Sequence, residues 1–315
     1  MTVQPPVRAP RRRVDGVLLL DKPVGLSSNA ALQRARRLYA AEKAGHTGTL
    51  DPLASGLLPL TFGDATKFAQ SLLDARKSYR ATVRFGVATT TGDAEGDIVR
   101  EAPVAFAAAD LAAMLLRFTG RIRQVPPRHA ALKFEGRAYY DYARAGIDIP
   151  RAAREIEIES LALVDWSPPD AVIDVRCSKG TYVRVLAEDL GDALGSCAHL
   201  AALRRTASGP FDLDRAVTLD ALEAMALPAR DALLLPVDAP VTDLPRCEVD
   251  AAAAAALLQG RPVPVPAPSD GGATSVSPLH PVDAPRVRGY GPGGFLGLLA
   301  VADGWLRPVR LVRGR

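Results

Sequence analysis

Residues 45–60 read GHTGTLDPLASGLLPL, and this stretch places a carboxylate on a tight turn. Its first two glycines permit backbone angles that other residues avoid, and the proline after Asp51 pushes that residue towards an extended conformation. The apolar run over residues 57–62 predicts a buried or edge strand that anchors the turn. A carboxylate held in this way can act as a nucleophile or a base, although a single Asp-Pro more often only shapes a turn.

The whole sixteen-residue string resembles the catalytic motif of the TruB family of tRNA pseudouridine synthases. The resemblance implies that Asp51 is the essential catalytic residue. It also implies that His46 lies against the RNA, near the uridine that is flipped out of its helix. Judged without the resemblance, a histidine at position 46 is more often a polar residue that completes a turn.

Four other strings resemble motifs of the same family: DKPVGLSSN at residues 21–29, KSYRATVRFG at 77–86, TGDAEG at 91–96 and CSKGTYVR at 177–184. By this resemblance, Tyr79 and Tyr182 hold the target base and Arg184 lies beside the catalytic carboxylate. The strand after residue 197 would contribute Leu203 to the uridine pocket. The acidic turn over residues 91–97 lacks the ligand order of a calcium loop, and we assign it a structural role.

Residues 121–154 carry eight basic and three acidic side chains, a net charge of +5 against +4 for the entire chain. Three of the seven tyrosines lie in the same stretch. Basic side chains interleaved with aromatic rings suit a phosphate backbone with unstacked bases, whereas a merely solvated charged face would not explain the aromatic rings.

The string QVPPRHAALKFEGRAYYDYARAG at residues 124–146 resembles the RNA-gripping thumb of bacterial TruB proteins. This resemblance implies that RNA is contacted by Arg128, Lys133, Arg137, Tyr139 and Arg144. One departure is the sequence Arg-His-Ala at residues 128–130, where the family pattern has Met-Tyr-Ser.

Alternating and helical apolar patterns together predict an α+β protein. Residues 77–85 alternate as a strand with Tyr79, Ala81, Val83 and Phe85 on one face. Ser28 or Asn29 can cap a helix over residues 30–40, and Thr181 can cap another over residues 182–194. That second helix would place Arg184 in its first turn, where a cation gains nothing from the helix dipole. An arginine there needs another partner, and the resemblance implies that this partner is Asp51, whose carboxylate we expect the guanidinium to hold by two parallel hydrogen bonds.

The family resemblance implies a pseudouridine synthase fold with a mixed, mostly antiparallel central sheet flanked by helices, a thumb insertion and a small C-terminal PUA-like barrel. We expect a basic disordered tail over residues 1–13, a catalytic domain over 14–240 with the thumb at about 124–152, and a PUA-like RNA-binding domain over 241–315.

Composition limits the other classes. Hydrophobic residues make up 48% of the 315, which is typical of a globular protein, and no apolar run is long enough to span a bilayer. The three cysteines are widely spaced, and the four histidines lack ligand spacing. We therefore expect a cytoplasmic protein, a monomer, without a metal or a cofactor.

The implied reaction is the isomerisation of uridine to pseudouridine at position 55, in the T-arm of tRNA. Two alternatives remain at this point. One is a guide-RNA-dependent relative, which would lack the thumb at residues 124–146. The other is a non-catalytic protein that binds or folds tRNA, for which Asp51, Tyr79 and Arg184 would have no reason to occur together.

Overall fold

The computed structural model describes residues 11–266 and 285–313. The strands are, in chain order, β1 (Gly16–Lys22), β2 (Ala44–His46), β3 (Ala54–Phe62), β4 (Lys77–Phe85), β5 (Val87–Thr89), β6 (Ile98–Glu101), β7 (Gly120–Gln124), β8 (Lys133–Phe134), β9 (Arg137–Ala138), β10 (Arg154–Ser167), β11 (Asp170–Cys177), β12 (Ala198–Ser208), β13 (Phe211–Asp212), β14 (Val217–Thr218), β15 (Arg246–Glu248), β16 (Val263–Pro264), β17 (Arg286–Gly291), β18 (Gly294–Ala302) and β19 (Trp305–Leu311).

The helices lie between these strands. They are α1 (Ser28–Leu38), α2 (Ala69–Asp74), α3 (Ala108–Arg117), α4 (Tyr139–Arg144), α5 (Val183–Ala193), α6 (Leu219–Ala224), α7 (Leu227–Ala232) and α8 (Ala251–Leu258), with 3₁₀ turns at Gly63–Phe68 and Ala239–Val241.

The larger sheet has the strand order β14-β1-β3-β12-β4-β11-β10-β7, with β2 beside β3 and β13 beside β12. Its pairings are antiparallel except for β1 with β14 and β3 with β12. Helices α3 and α5 contribute to the main apolar core over β4, β10, β11 and β12. The predicted α+β class with a mixed, mostly antiparallel sheet is confirmed.

Strand β4 forms over the residues where alternation predicts it. Ala81, Val83 and Phe85 are buried in the main core together with leucines of α5. On the opposite face, Arg80 and Arg84 each form a two-bond ion pair with an aspartate of β11, with N–O distances of 2.7–2.8 Å. The strand therefore separates an apolar layer from a charged, solvent-facing layer.

The parallel contact between β3 and β12 is unusually close at Gly56. In register, Gly56 faces Arg205, and its φ of +98° is one that residues with a Cβ avoid. A Cβ added to Gly56 would lie 2.3 Å from the Arg205 carbonyl oxygen. Glycine therefore lets the strand that follows the Asp51 loop lie directly against β12.

The smaller sheet has the order β15-β17-β18-β19-β16 and packs against α8, which fits the expected PUA-like domain. It joins the rest of the chain around the 3₁₀ turn at residues 63–68. There the Phe68 ring lies 5.3 Å from the Phe295 ring, and the Asp64 carboxylate accepts a 2.6 Å hydrogen bond from the backbone N–H of Arg313.

The expectation of a disordered tail over residues 1–13 needs correction at its described end. Arg12 forms a two-bond ion pair with Asp231 and a bridge with Ala41, and Arg13 pairs with Asp15 at 2.9 Å. The partner of Arg12 lies 219 residues away and cannot be found from a basic segment read alone. Residues 1–10 lie outside the described part of the chain.

Gly56→Ala is expected to destabilise the protein more than Gly25→Ala. Both glycines have a positive φ, which costs alanine about 1–2 kcal/mol, but a Cβ at Gly25 would meet no atom within 4 Å. At Gly56 the steric overlap adds about 1–3 kcal/mol. Thermal unfolding followed by circular dichroism measures the difference. Equal melting temperatures for the two variants would contradict the prediction, because they would show that β3 and β12 accommodate the added Cβ without loss of stability.

Candidate active site

Five of the six residues predicted to carry out catalysis or bind the base line one cavity of about 300 Å³: Asp51, Tyr79, Tyr182, Arg184 and Leu203. They come from the loop before β3, from β4, from the start of α5 and from β12. His46 lies outside the lining, at the end of β2, where burial lowers the pKa of its imidazole. Its Nδ1 is buried and has no hydrogen-bond partner among the described residues.

The Asp51 loop is held by hydrogen bonds on both sides. Ser28 Oγ accepts from the Leu50 N–H at 2.7 Å and donates to the Leu50 carbonyl at 2.9 Å. The carbonyl of Asp51 accepts from the Ala54 N–H at 3.0 Å. Helix α1 is capped by Ser27 rather than by Ser28 or Asn29, so the Ser28 hydroxyl is available to the loop. These bonds fix the backbone of Asp51 while its side chain remains 42% exposed.

The buried Arg184 guanidinium joins two carboxylates. Its Nη2 lies 3.0 Å from the Asp51 carboxylate and its Nη1 lies 3.6 Å from that of Asp93. The same nitrogens donate to the backbone carbonyls of His129 at 2.9 Å and of Thr91 at 3.1 Å. The expectation of two parallel bonds to Asp51 is therefore wrong, because the guanidinium donates to two backbone carbonyls and faces two carboxylates.

The start of α5 also differs from the predicted capping. Arg184 lies in the first turn as expected, but Tyr182 is the N-cap residue and no side chain caps the helix. Thr181 instead donates to the Ser178 carbonyl at 3.0 Å. The side chain of Gln124, 2% exposed, accepts from the Tyr182 N–H at 3.1 Å and donates to its carbonyl at 3.4 Å. Gln124 thereby fixes the aromatic residue at the cavity wall, a role that its sequence context does not indicate.

Asp93 is a site residue that the sequence reasoning assigned only a structural role. It is 3% exposed, and its carboxylate accepts from the Thr91 hydroxyl at 2.5 Å and from the Glu95 N–H at 3.1 Å. The turn over residues 91–97 thus shapes a buried anion that faces Arg184. The signal in the sequence was the TGDAEG string itself, since an acidic turn that resembles a family motif can be expected to face a basic side chain.

Burial alters the acid–base behaviour of the cavity walls. It raises the pKa of the Tyr79 and Tyr182 phenols, which keeps both hydroxyls protonated at neutral pH. Burial also lowers the pKa of Lys22 to about 8, although the Asp51 charge opposes that shift. The fully buried Lys22 ammonium donates to the carbonyls of Pro23 and Leu26 at 2.8 and 2.6 Å.

The segment expected to form a thumb is an excursion between β7 and β10 that contains the β8–β9 hairpin and α4. Arg128, Lys133, Arg137 and Arg144 are exposed on it. The Arg137 guanidinium lies 4.7 Å from the Tyr142 ring and that of Arg144 lies 5.4 Å from the Tyr140 ring. Tyr139, however, is only 7% exposed, so the exposed ring is its neighbour Tyr140, at 39%.

The arrangement suits chemistry on a planar ring. A half-exposed carboxylate on a fixed loop faces a cavity with two aromatic walls, and a buried cation stabilises its negative charge. Among the described residues, no group of His, Cys, Asp and Glu side chains could hold a metal ion. No helix within residues 11–266 or 285–313 is long and apolar enough to cross a membrane.

Two family models match the chain. The TruB family pseudouridylate synthase (N terminal domain) matches residues 36–183, and the tRNA pseudouridylate synthase B C-terminal domain matches residues 184–242. Two curated relatives are both named tRNA pseudouridine synthase B. That of Burkholderia mallei (strain ATCC 23344) is 53% identical over 99% of this chain and 98% of its own length. That of Azoarcus sp. (strain BH72) is 54% identical over 97% of each chain.

Solved structures share the fold. The crystal structure of a Cbf5-Nop10-Gar1 complex superposes with a TM-score of 0.67 at 27% identity, over 91% of this chain and 78% of that one. That of the archaeal box H/ACA sRNP Nop10-Cbf5 complex superposes with a TM-score of 0.68 at 25% identity, over 95% and 86%.

Asp93→Asn is expected to lower the melting temperature by about 6 °C or more, whereas Asp51→Asn should change it by about 4 °C or less. Both carboxylates face Arg184, but only Asp93 is buried, and removing one member of a buried pair commonly costs about 3–5 kcal/mol. In the Asp51 pair only the arginine is buried, so the Asp51 carboxylate keeps contact with water when it is unpaired, and we expect this pair to contribute about 0–1 kcal/mol, as exposed pairs do. Differential scanning calorimetry of the two variants checks the contrast, and equal losses would argue against it.

Proposed function

Because the chain belongs to the TruB family of tRNA pseudouridine synthases, we propose that it isomerises uridine 55 in the T-arm of tRNA to pseudouridine. The observation that carries the proposal is the Asp51 carboxylate, paired with buried Arg184 at the cavity with Tyr79, Tyr182 and Leu203. The family assignment supports an isomerase acting on tRNA, and the choice of the T-arm uridine follows from the motif resemblance.

The reaction exchanges one bond to the ribose for another. The bond from base N1 to C1′ breaks, the uracil turns, C5 bonds to C1′, and the proton leaves C5 while N1 gains one. No electron is gained or lost overall. The isomer forms without an oxidant or a second substrate. The side chains therefore need to supply a carboxylate, to hold the uracil and to exclude water. Asp51 supplies the carboxylate, and Arg184 keeps its charge favourable as RNA displaces water.

The target base has to leave the stack of the folded arm before it can reach Asp51. Extruding a stacked base costs roughly a few kcal/mol. Tyr79 and Tyr182 offer aromatic surface to the extruded uracil, and Leu203 offers apolar contact. His46 lies at the end of β2, outside the cavity lining, and we assign it to the RNA around the vacated position.

The thumb supplies basic side chains for the phosphates. We assign this contact to Arg128, Lys133, Arg137 and Arg144, which are exposed. Tyr140 takes the stacking role first expected of Tyr139, since its ring is exposed. The backbone carbonyl of His129 binds Arg184 directly, so the same segment borders both the RNA-binding face and the catalytic ion pair. The partner is tRNA, and we propose that the enzyme works as a cytoplasmic monomer.

A guide-RNA-dependent activity is the second candidate, because the fold is shared with solved Cbf5 complexes. The thumb between β7 and β10 and the curated relatives that match over their whole length favour the stand-alone enzyme. An assay on one tRNA transcript without added RNA or protein separates the two. Pseudouridine formed in that mixture excludes the need for a guide.

Asp51→Asn is expected to abolish pseudouridine formation while tRNA binding stays within about threefold of wild type. The substitution keeps the shape of the side chain and removes the charge that the chemistry requires. Tritium release from a transcript labelled at C5 of uridine measures the reaction. Asp174→Asn, which removes one exposed carboxylate from the opposite face of the sheet, is the control.

A transcript with cytidine at position 55 tests the proposed site, because it should release no tritium with the wild-type enzyme. Turnover by Asp51→Asn would contradict the assignment of Asp51. Release from the cytidine-55 transcript would contradict the choice of the T-arm uridine.

Replacing Arg137 and Arg144 together by alanine is expected to weaken tRNA binding and to flatten its dependence on salt. Each lost phosphate contact lowers the slope of log K against log salt by about 0.9. Arg80 and Arg84 replaced together remove the same charge from the far side of the sheet, where each is paired with aspartate. Filter binding over a salt series compares the two double variants. Equal slopes of log K against log salt would show that the thumb arginines are solvated surface residues that do not bind phosphates.

A further inference from the structure

Arg205 is the largest fully buried side chain of the described residues, and its guanidinium reaches the wall of the catalytic cavity. It is 1% exposed, and no carboxylate within residues 11–266 or 285–313 lies within ion-pairing distance of it. A buried charge without a counter-ion is costly unless its hydrogen bonds are satisfied. Its position therefore calls for an explanation beyond packing.

The donors of Arg205 are directed at the backbone around Asp51. Nε donates to the Leu57 carbonyl at 2.6 Å, and Nη2 donates to the Gly48 carbonyl at 3.3 Å. These two carbonyls lie on either side of Asp51 in the chain, one in the loop before it and one in β3 after it. One planar guanidinium thus spans the loop that carries the catalytic carboxylate.

The glycines of the same stretch make room for this residue. A Cβ at Gly48 would lie 3.5 Å from Nη1 of Arg205, and a Cβ at Gly56 would lie 2.3 Å from its carbonyl oxygen. One glycine therefore borders the side chain and the other borders the backbone of a residue that is about 150 positions later in the chain.

Arg205 also faces Tyr79. In the sheet, Arg205 is the register partner of Gly56 on β3 and of Tyr79 on β4. Burial raises the pKa of the Tyr79 phenol, and the charge of Arg205 opposes that shift. Arg205 therefore contacts the loop of Asp51 and is the strand neighbour of the residue whose ring we assign to the base.

We propose that Arg205 is a positioning residue that holds the Asp51 loop and the Tyr79 ring at a fixed separation across the floor of the cavity. The inference deepens the proposed function and rests on it. The planar fork is essential to this role, because a lysine ammonium cannot span the Gly48 and Leu57 carbonyls in the same geometry.

The test is Arg205→Lys in the full-length chain, with Arg204→Lys as the matched control. Arg204 is the next residue of β12, but it is 43% exposed and pairs with Asp21 at 2.7 Å. We expect the single-turnover rate of Arg205→Lys at saturating enzyme to fall by roughly 100-fold, since small misplacements of reacting groups have effects of that size. The dissociation constant for tRNA should stay within threefold, and Arg204→Lys should match wild type in both.

A second measurement does not depend on activity. Hydrogen exchange at the amides of residues 46–53 should be faster in Arg205→Lys than in wild type and unchanged in Arg204→Lys. If the wild-type protein makes no pseudouridine, the proposed function is wrong. If the exchange rates of these amides are unchanged in Arg205→Lys, only the positioning role of Arg205 is wrong.

Three results would overturn the proposal. The first is a rate within threefold of wild type for folded Arg205→Lys. The second is a loss of rate that is matched by an equal loss of tRNA affinity, which would make Arg205 a binding residue. The third is failure of both Arg205→Lys and Arg205→Gln to fold, which would assign the side chain to the core.

Discussion

The approach of β3 to β12 at Gly56 is the constraint on which the catalytic cavity depends. Because the two strands run parallel and nearly touch there, the loop that precedes β3 ends beside the side chains of β12. Strand β12 pairs on its other side with β4, which brings Tyr79 to the same place. Two neighbouring pairings of one sheet thus unite a turn, an aromatic ring and a buried arginine.

The charges around the cavity share a second feature: three buried cations are grouped with the buried Asp93 carboxylate and the accessible Asp51 carboxylate. Lys22, Arg184 and Arg205 are all buried, while Asp51 is the half-exposed anion among them. Buried charges are screened less by salt than surface charges are. The ion pairs of Arg184 should therefore depend less on salt than contacts between RNA phosphates and the exposed arginines of the thumb.

Local patterns in the sequence predicted the strands and turns whose conformation depends on residues nearby in the chain. Alternation located β4 to the residue, and the glycines and proline around Asp51 indicated a stiff loop. The predictions that failed depend on distant partners. Thr181 is a residue type that caps helices, yet the backbone at the start of α5 is hydrogen-bonded by Gln124. Arg12 was expected in a disordered tail, yet it forms an ion pair with Asp231. Two adjacent tyrosines, 139 and 140, differ in exposure because only the packed thumb decides which ring faces inwards.

The hydrogen bond from Arg205 to Leu57 has a consequence for synthesis of the protein, since the two residues lie 148 positions apart in the chain. Contacts between distant residues form late, because a long loop has to close first. A nascent chain emerges from its N-terminus, so the ribosome exposes the Asp51 loop long before it delivers β12. Until that strand arrives, the carboxylate has neither its buried arginine floor nor its aromatic wall in place. During translation, the Asp51 carboxylate is therefore exposed before the proposed active site is assembled around it.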